Sequence, residues 1–243
     1  MNATPRPPRP PRLVEVRRNA LKQNDMLARS LRDRFRKAGV RVISMVSSPG
    51  AGKTTLLEKT LVMLLRQWRV AALVGDLATE NDAARLARSQ APVKQIITGE
   101  VCHLDATMVE RAIDGWNLDE LDLLFIENVG NLVCPASYDL GEDLRLVLLS
   151  VTEGEDKALK YPTIFNTADV AVITKIDLAG AVEFDLAAAR HNIHQVRPGM
   201  EIVEVSSKTG EGMEAWLRFL QHQRGEVLNN VSCDSGQGCR DSG

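Results

Sequence analysis

The apolar run RVISMV (41–46), followed at once by SSPGAGKTT (47–55) and an apolar-periodic stretch, constrains this chain more than any other feature. A phosphate needs converging backbone N–H groups, a cation and a helix N-terminus aimed at it; strand, Gly-rich loop and helix in that order supply all three. Gly50 and Gly52, on either side of Ala51, let the backbone approach phosphate oxygens closely. Lys53 can reach the outer phosphates, and the Thr54 hydroxyl, followed by Thr55, suits a Mg²⁺ ion. The general pattern has glycine at position 47, where this chain has Ser47.

The same alternation continues down the chain. Short apolar runs at 70–75, 93–97, 121–126, 144–150, 169–174 and 201–205 are mostly separated by helical stretches near 53–67, 80–90, 105–116, 183–196 and 211–224. Strands alternating with helices predict an α/β fold, a three-layer P-loop domain with a mostly parallel sheet. Apolar positions at Val14, Leu21, Leu27, Leu31 and Phe35 predict an N-terminal helix over 14–37, ended by Gly39. The expected organisation is a disordered Pro/Arg-rich arm over 1–13, the domain over 14–225, and a polar, disordered tail over 226–243.

Bulk properties narrow the class. The net charge of −2 hides a basic leader, with 12 Lys/Arg against 3 Asp/Glu in residues 1–41, on an acidic body. The leader lacks the aromatic interleaving of a nucleic-acid surface and reads as a solvated arm and helix face, so no nucleic-acid partner is expected. No apolar run approaches the ~20 residues of a membrane span. The Pro/Arg-rich start is not a secretory leader, and four cysteines make no disulfide scaffold, so a cytoplasmic protein with reduced thiols is expected.

Phosphoryl transfer also needs its metal held and its water placed. Asp76 and Glu127 end two apolar runs on the edge that carries the phosphate loop, where ligands bind in open α/β sheets. With Lys53 they are the candidate catalytic residues; Thr54, Asp76 and Glu127 are the candidate Mg²⁺ positions, and the Gly130 N–H can face a γ-phosphate. TKID (174–177) selects the base. The Asp177 carboxylate can accept from both N1–H and the 2-amino group of guanine, a donor pair that adenine lacks. Thr174 opens that motif, Lys175 packs along the base, and SSK (Ser206, Ser207, Lys208) can offer the Ser207 N–H to guanine O6.

Metal-type ligands lie in the loops of this nucleotide site. Cys102 and His103 are adjacent, so joint ligation needs a turn, for which Thr98-Gly99 and Glu100 provide the setting. Cys134 lies seven residues past Glu127. Three soft or borderline ligands leave a four-coordinate site open, to be completed by water or by a second copy of the chain; such a site accepts Zn²⁺ or Ni²⁺. His191 and His194 at i, i+3 lack an acidic or Cys partner and read as a solvent face, as does His222; Cys233 and Cys239 read as idle residues of a disordered tail, with an auxiliary metal or redox pair as the alternative.

GDLATENDAARL (75–86), TGEVCHLDATMV (98–109), IENVGNLVCPASYDLGED (126–143), VTEGEDKALKYP (151–162) and SSKTGEGM (206–213) resemble the hydrogenase nickel-incorporation GTPases, the HypB family, from about residue 14 to 220. The resemblance implies a slow, Mg²⁺-dependent GTPase that dimerises on GTP binding. It would deliver nickel during [NiFe]-hydrogenase maturation, with a small nickel- and zinc-binding partner protein and the hydrogenase large-subunit precursor as recipient. It also implies a dimer-interface metal site at Cys102, His103 and Cys134. Many members carry an N-terminal cysteine motif or a His-rich run; residues 1–40 here contain neither Cys nor His, which leaves the switch-linked site as the principal one. The competing readings are a metallochaperone GTPase for another metalloenzyme, of the urease type, and a regulatory GTPase with a structural zinc.

Overall fold

The computed structural model describes residues 12–76 and 81–234, with side-chain surroundings over 18–76 and 82–224. Seven strands form one sheet: β1 (Arg41–Ser47), β2 (Val70–Asp76), β3 (Val93–Ile97), β4 (Leu123–Glu127), β5 (Leu144–Ser150), β6 (Val170–Thr174) and β7 (Glu201–Val205). Their order is β3-β2-β4-β1-β5-β6-β7 and every pairing is parallel. A parallel sheet is covered on both faces, so its inner strands must be apolar throughout. β5 (LRLVLLS) is buried at every position. The one charged side chain in it, Arg145, is held by Glu142 at 2.7 Å.

Among the described residues eight helices cover the sheet: α1 (Arg12–Lys37), α2 (Lys53–Leu64), α3 (Asn81–Ala87), α4 (Ala106–Ala112), α5 (Lys157–Lys160), α6 (Pro162–Thr167), α7 (Leu186–Val196) and α8 (Met213–Asp234). On one face Leu56, Leu61, Leu86, Trp216 and Leu220 of α2, α3 and α8 pack on Ile43, Met45 and Phe125. The Trp216 indole, fully buried, donates to Thr60 Oγ1 at 2.9 Å, so its polar atom is satisfied. On the other face Phe35 of α1 and Val109 of α4 lie on Val42, Leu73 and Leu124, while Phe165 of α6 and Ile193 of α7 lie on Val147 and Ile173.

The expected three-layer architecture is present; α5 and α6 have no counterpart among the expected helical stretches, and several element bounds differ, most of all that of α8. α1 starts at Arg12, two residues before the predicted start, and α8 runs to Asp234, past the predicted end at 224. The segment beyond 224 holds no proline, and Gly225 alone costs a helix only about 1 kcal/mol, too little to stop it. The expected domain end at 225 therefore falls within a helix. Residues 1–11 of the arm and 235–243 of the tail, Cys239 included, lie outside the described residues, as does the side chain of Cys233.

Because all strands run one way, all carboxyl ends meet at one edge. β1 sits mid-sheet with β4 on one side and β5 on the other, the position at which connections change direction and ligands bind. At the opposite edge Asp122 receives Arg69 N at 2.9 Å, an Arg69 Nη at 3.0 Å and an Arg224 Nη at 2.6 Å. It thereby ties the entries of β2 and β4 to α8. Partial burial would raise the Asp122 pKa, but these bonds outweigh it and hold the carboxyl well below the ordinary range.

Candidate nucleotide site and metal centre

The turn after β1 adopts left-handed backbone at Gly50 (φ 76°) and Gly52 (φ 95°), conformations that L side chains rarely enter, and α2 begins at Lys53. A cavity of about 470 Å³ opens over this turn; its walls include Gly50, Gly52, Lys53, Thr54, Thr55, Asp76, Glu127 and Gly130. A second of about 210 Å³ adjoins it, lined by Gly52, Thr55, Thr174, Lys175, Asp177, Ser207 and Lys208. The predicted phosphate and base residues thus converge on two neighbouring hollows. Ala51 and Ser206 are fully buried behind them. The Ala51 carbonyl accepts from Thr174 Oγ1 at 2.6 Å, and Ser206 Oγ donates to Asp177 Oδ1 at 2.6 Å, which aims the carboxylate. Lys175, itself left-handed at φ 59°, donates to the Gly50 carbonyl at 2.7 Å and so joins the base loop to the phosphate loop.

Ser47, the departure from the general pattern, has a definite task. Its hydroxyl oxygen accepts from Lys53 Nζ at 2.8 Å while its O–H donates to the Ser48 carbonyl at 2.6 Å. Burial pushes the Lys53 ammonium below its ordinary value, with Glu127 pulling the other way. Glu127 is raised to about 7 by burial, against the pull of Lys53 and the bond from Thr54 Oγ1 at 2.6 Å. Its Oε2 is buried with no partner. An orphaned carboxylate oxygen beside a threonine hydroxyl is a donor set suited to a hard divalent cation, so the residues fit Mg²⁺.

Asp82 and Arg85 of α3 also line the larger cavity, with Arg85 Nε on Glu58 Oε2 at 2.8 Å. Sequence reading singled out neither, since they lie on α3, six and nine residues past the end of β2, with no motif of their own.

Cys102 and His103 lie in the turn between β3 and α4, which Asp105 caps by accepting from Met108 N at 2.8 Å. Cys134 opens a short 3₁₀ turn whose next residue is Pro135. β3 and β4 flank β2, so the two loops meet over the end of β2. Cys102 Sγ and Cys134 Sγ stand 3.0 Å apart, and with a His103 ring nitrogen all three ligand atoms lie within 4.8 Å of one another. The Cys102 thiol is pushed up chiefly by its bond to Cys134, and burial lowers the His103 pKa, favouring the neutral ring that metals bind. His103 stacks on Tyr138 at 3.9 Å and its Nδ1 is buried without a partner. Among the described residues no other His/Cys/Asp/Glu group has this convergence. His194 instead meets the Met200 carbonyl at 3.1 Å and His191 meets Gln195 at 3.0 Å, both at exposed positions of α7.

Residues supporting this cluster had no signal in the sequence. Asn24 of α1 donates to the Asp139 carbonyl and accepts from Ala106 N, both at 2.9 Å, clamping the two ligand loops together. No described helix is long and apolar enough to cross a membrane.

Residues 41–204 match the family model described as CobW/HypB/UreG, nucleotide-binding domain. The chain is 46% identical over 213 residues to the hydrogenase maturation factor HypB of Escherichia coli K12, covering 88% of this chain and 73% of that protein. The chain belongs to the HypB family. HypB of Azotobacter chroococcum is 47% identical over 219 residues, 89% of this chain and 71% of its own. A crystal structure of HypB from Helicobacter pylori in complex with nickel superposes with a TM-score of 0.80 at 39% identity, covering 90% of this chain and all of that one.

Proposed function

We propose that the chain is a GTP-hydrolysing metallochaperone that carries nickel for [NiFe]-hydrogenase maturation. The observation that carries this reading is the convergence of Cys102, His103 and Cys134 within 4.8 Å, on the loops that follow β3 and β4, beside the phosphate cavity. The family's hydrogenase maturation role, and the nickel bound to the Helicobacter pylori relative, support the cargo assignment.

Asp177, aimed by Ser206, reads guanine, while Ser207 and Lys208 close the base pocket. Gly50–Thr55 and Gly130 cradle the phosphates, and Thr54, Glu127 and Asp76 hold Mg²⁺, which supplies charge neutralisation at the outer phosphates. Lys53 is freed from Ser47 to meet the developing charge. Slow hydrolysis fits a Glu127 committed with Thr54 to the metal rather than placed as a base on water. Nickel, or zinc in its place, is cargo on two thiolates and one imidazole. Three ligands leave the site open, and a second copy joined on GTP binding completes it. A small nickel-binding partner supplies the ion and the hydrogenase large-subunit precursor receives it, in the cytoplasm. The working unit is the domain that runs from α1 into α8.

The test is nickel and zinc binding to the reduced protein, with GDP and with a non-hydrolysable GTP analogue, beside Cys134→Ala. Nickel binding that needs Cys134, in a protein that hydrolyses GTP, supports the reading. Zinc bound tightly without nickel preference makes the site structural and leaves only the GTPase.

A further inference from the structure

The loop after β4 belongs to two sites at once. Asn128, Val129 and Gly130 form part of the phosphate cavity wall, and Gly130 lies so close to Pro49 that a Cβ there would stand 2.9 Å from Pro49 Cα. The main chain of Asn128 is fixed to β1, its N–H donating to the Met45 carbonyl at 3.0 Å. Its side chain, 2% exposed, reaches the other way: Oδ1 accepts from Leu104 N at 3.0 Å and from Val129 N at 2.9 Å.

Leu104 directly follows Cys102 and His103. Three residues along the same loop, Asn131 Nδ2 donates to the Cys102 carbonyl at 3.2 Å. The Cys102–Leu104 tripeptide is thus held at both ends by the loop that faces the phosphates. Leu104 also packs on Gly75, where an ideal Cβ would lie 2.8 Å from its side chain, and Gly75 precedes Asp76. The ligand loop therefore touches the ends of both β2 and β4.

We propose that Asn128 is a positioning residue that couples the state of the phosphate cavity to the geometry of the Cys102–His103–Cys134 cluster, through its hydrogen bond to the Leu104 N–H. This rests on the reading of the two sites as those for guanine nucleotide and nickel. An amide with one oxygen shared between an N–H of the phosphate-facing loop and an N–H of the ligand loop transmits displacement of either to the other. Equilibrium linkage then requires reciprocity: the factor by which nucleotide changes nickel affinity is the factor by which nickel changes nucleotide affinity.

The experiment uses the full chain, reduced, with Mg²⁺. Nickel dissociation constants are measured by competition with a chromophoric chelator, with GDP and with a non-hydrolysable GTP analogue. The wild-type ratio is expected to be about fivefold or more, within the usual range of coupling between sites. Asn128→Leu, near in volume but with no acceptor, is expected to bring that ratio within about twofold of unity while nickel still binds. An Asn128→Leu protein with the wild-type ratio overturns the proposal.

A second measurement needs no variant and no nickel. Amide exchange at Leu104, followed by NMR in the wild-type protein, is expected to differ between GDP and the GTP analogue; identical protection overturns the proposal. A wild-type ratio near one with both ligands bound overturns the coupling and leaves both sites standing. Failure of the wild type to bind guanine nucleotide or nickel overturns the underlying reading as well.

Discussion

Replacing Gly130 by alanine sets a methyl group against the backbone of the phosphate loop. An ideal Cβ there would lie 2.9 Å from Pro49 Cα, 3.0 Å from Pro49 N and 3.1 Å from Pro49 Cγ. Carbon contacts are ordinarily about 3.5–4.0 Å. Two of the three atoms are main chain, so no change of rotamer relieves the contact and one loop must move. Gly130 is not at positive φ, so alanine meets no backbone strain of its own. Overpacking of this kind costs about 1–3 kcal/mol. Loss of chain entropy in the unfolded state returns about 0.4–1 kcal/mol, so the folded protein should survive. If the strain is relieved by displacing the turn over 48–52, binding nucleotide must reverse that displacement. The cost then appears in affinity, as a rise in Kd of about five- to 150-fold. Titration of a fluorescent guanine nucleotide, with thermal unfolding measured alongside, reads both quantities. Gly180→Ala is the control, since a Cβ at Gly180 meets nothing within 4 Å. Affinity of the Gly130→Ala protein within twofold of wild type, or an equal loss in the control, would refute the reasoning.

Other expectations follow from the same geometry. Asp177→Asn should weaken GTP binding about a hundredfold by removing charge-assisted bonds to the base, with little effect on ATP; comparable losses for both nucleotides would remove Asp177 from base selection. Cys134→Ala should lower nickel affinity by more than the roughly 10–100-fold typical of an outer-shell change. Guanine-nucleotide affinity should stay nearly constant, and unchanged nickel binding by competition would exclude Cys134 as a ligand. Asp122 titrates below its unfolded value of about 3.9, so its contribution to stability is full above about pH 5 and is lost as pH falls toward the folded value. Asp122→Asn should flatten the acid limb of the Tm–pH profile below pH ~5; a limb as steep as the wild type's would show that Asp122 contributes nothing there.

The parts of the site that could be read from the chain are those whose chemistry is contiguous. RVISMV, the glycines and Lys53-Thr54 form one strand–turn–helix unit, and Thr174–Asp177 another, so order alone placed them on one sheet edge. Cys102 and Cys134 are 32 residues apart, yet both follow strand ends on that edge, which made their meeting legible. The parts that were not legible depend on side chains reaching across loops. The bonds from Asn128 to Leu104 span 24 residues and those from Asn24 to Ala106 span 82. An asparagine in a loop has no periodicity to betray its partner, and Tyr138 on His103 is equally silent. The Ser47 latch on Lys53 lay in plain view, but the pattern presented it only as a missing glycine. Helix α8 ran long because one glycine is too weak a stop.

The central position of β1 sets the timetable of folding. It is the first strand among the described residues, but its neighbours are β4 and β5, which end at Glu127 and Ser150. At a synthesis rate of about 5–20 residues per second, roughly 100 residues and some 5–20 s separate the phosphate loop from its second flanking strand. Until then β1 is an apolar strand with two bare edges, and the glycine turn has no rigid base from which to hold a phosphate. Nucleotide therefore cannot template the early stages of this fold. It can only select and stabilise the finished sheet, by mass action on the native state.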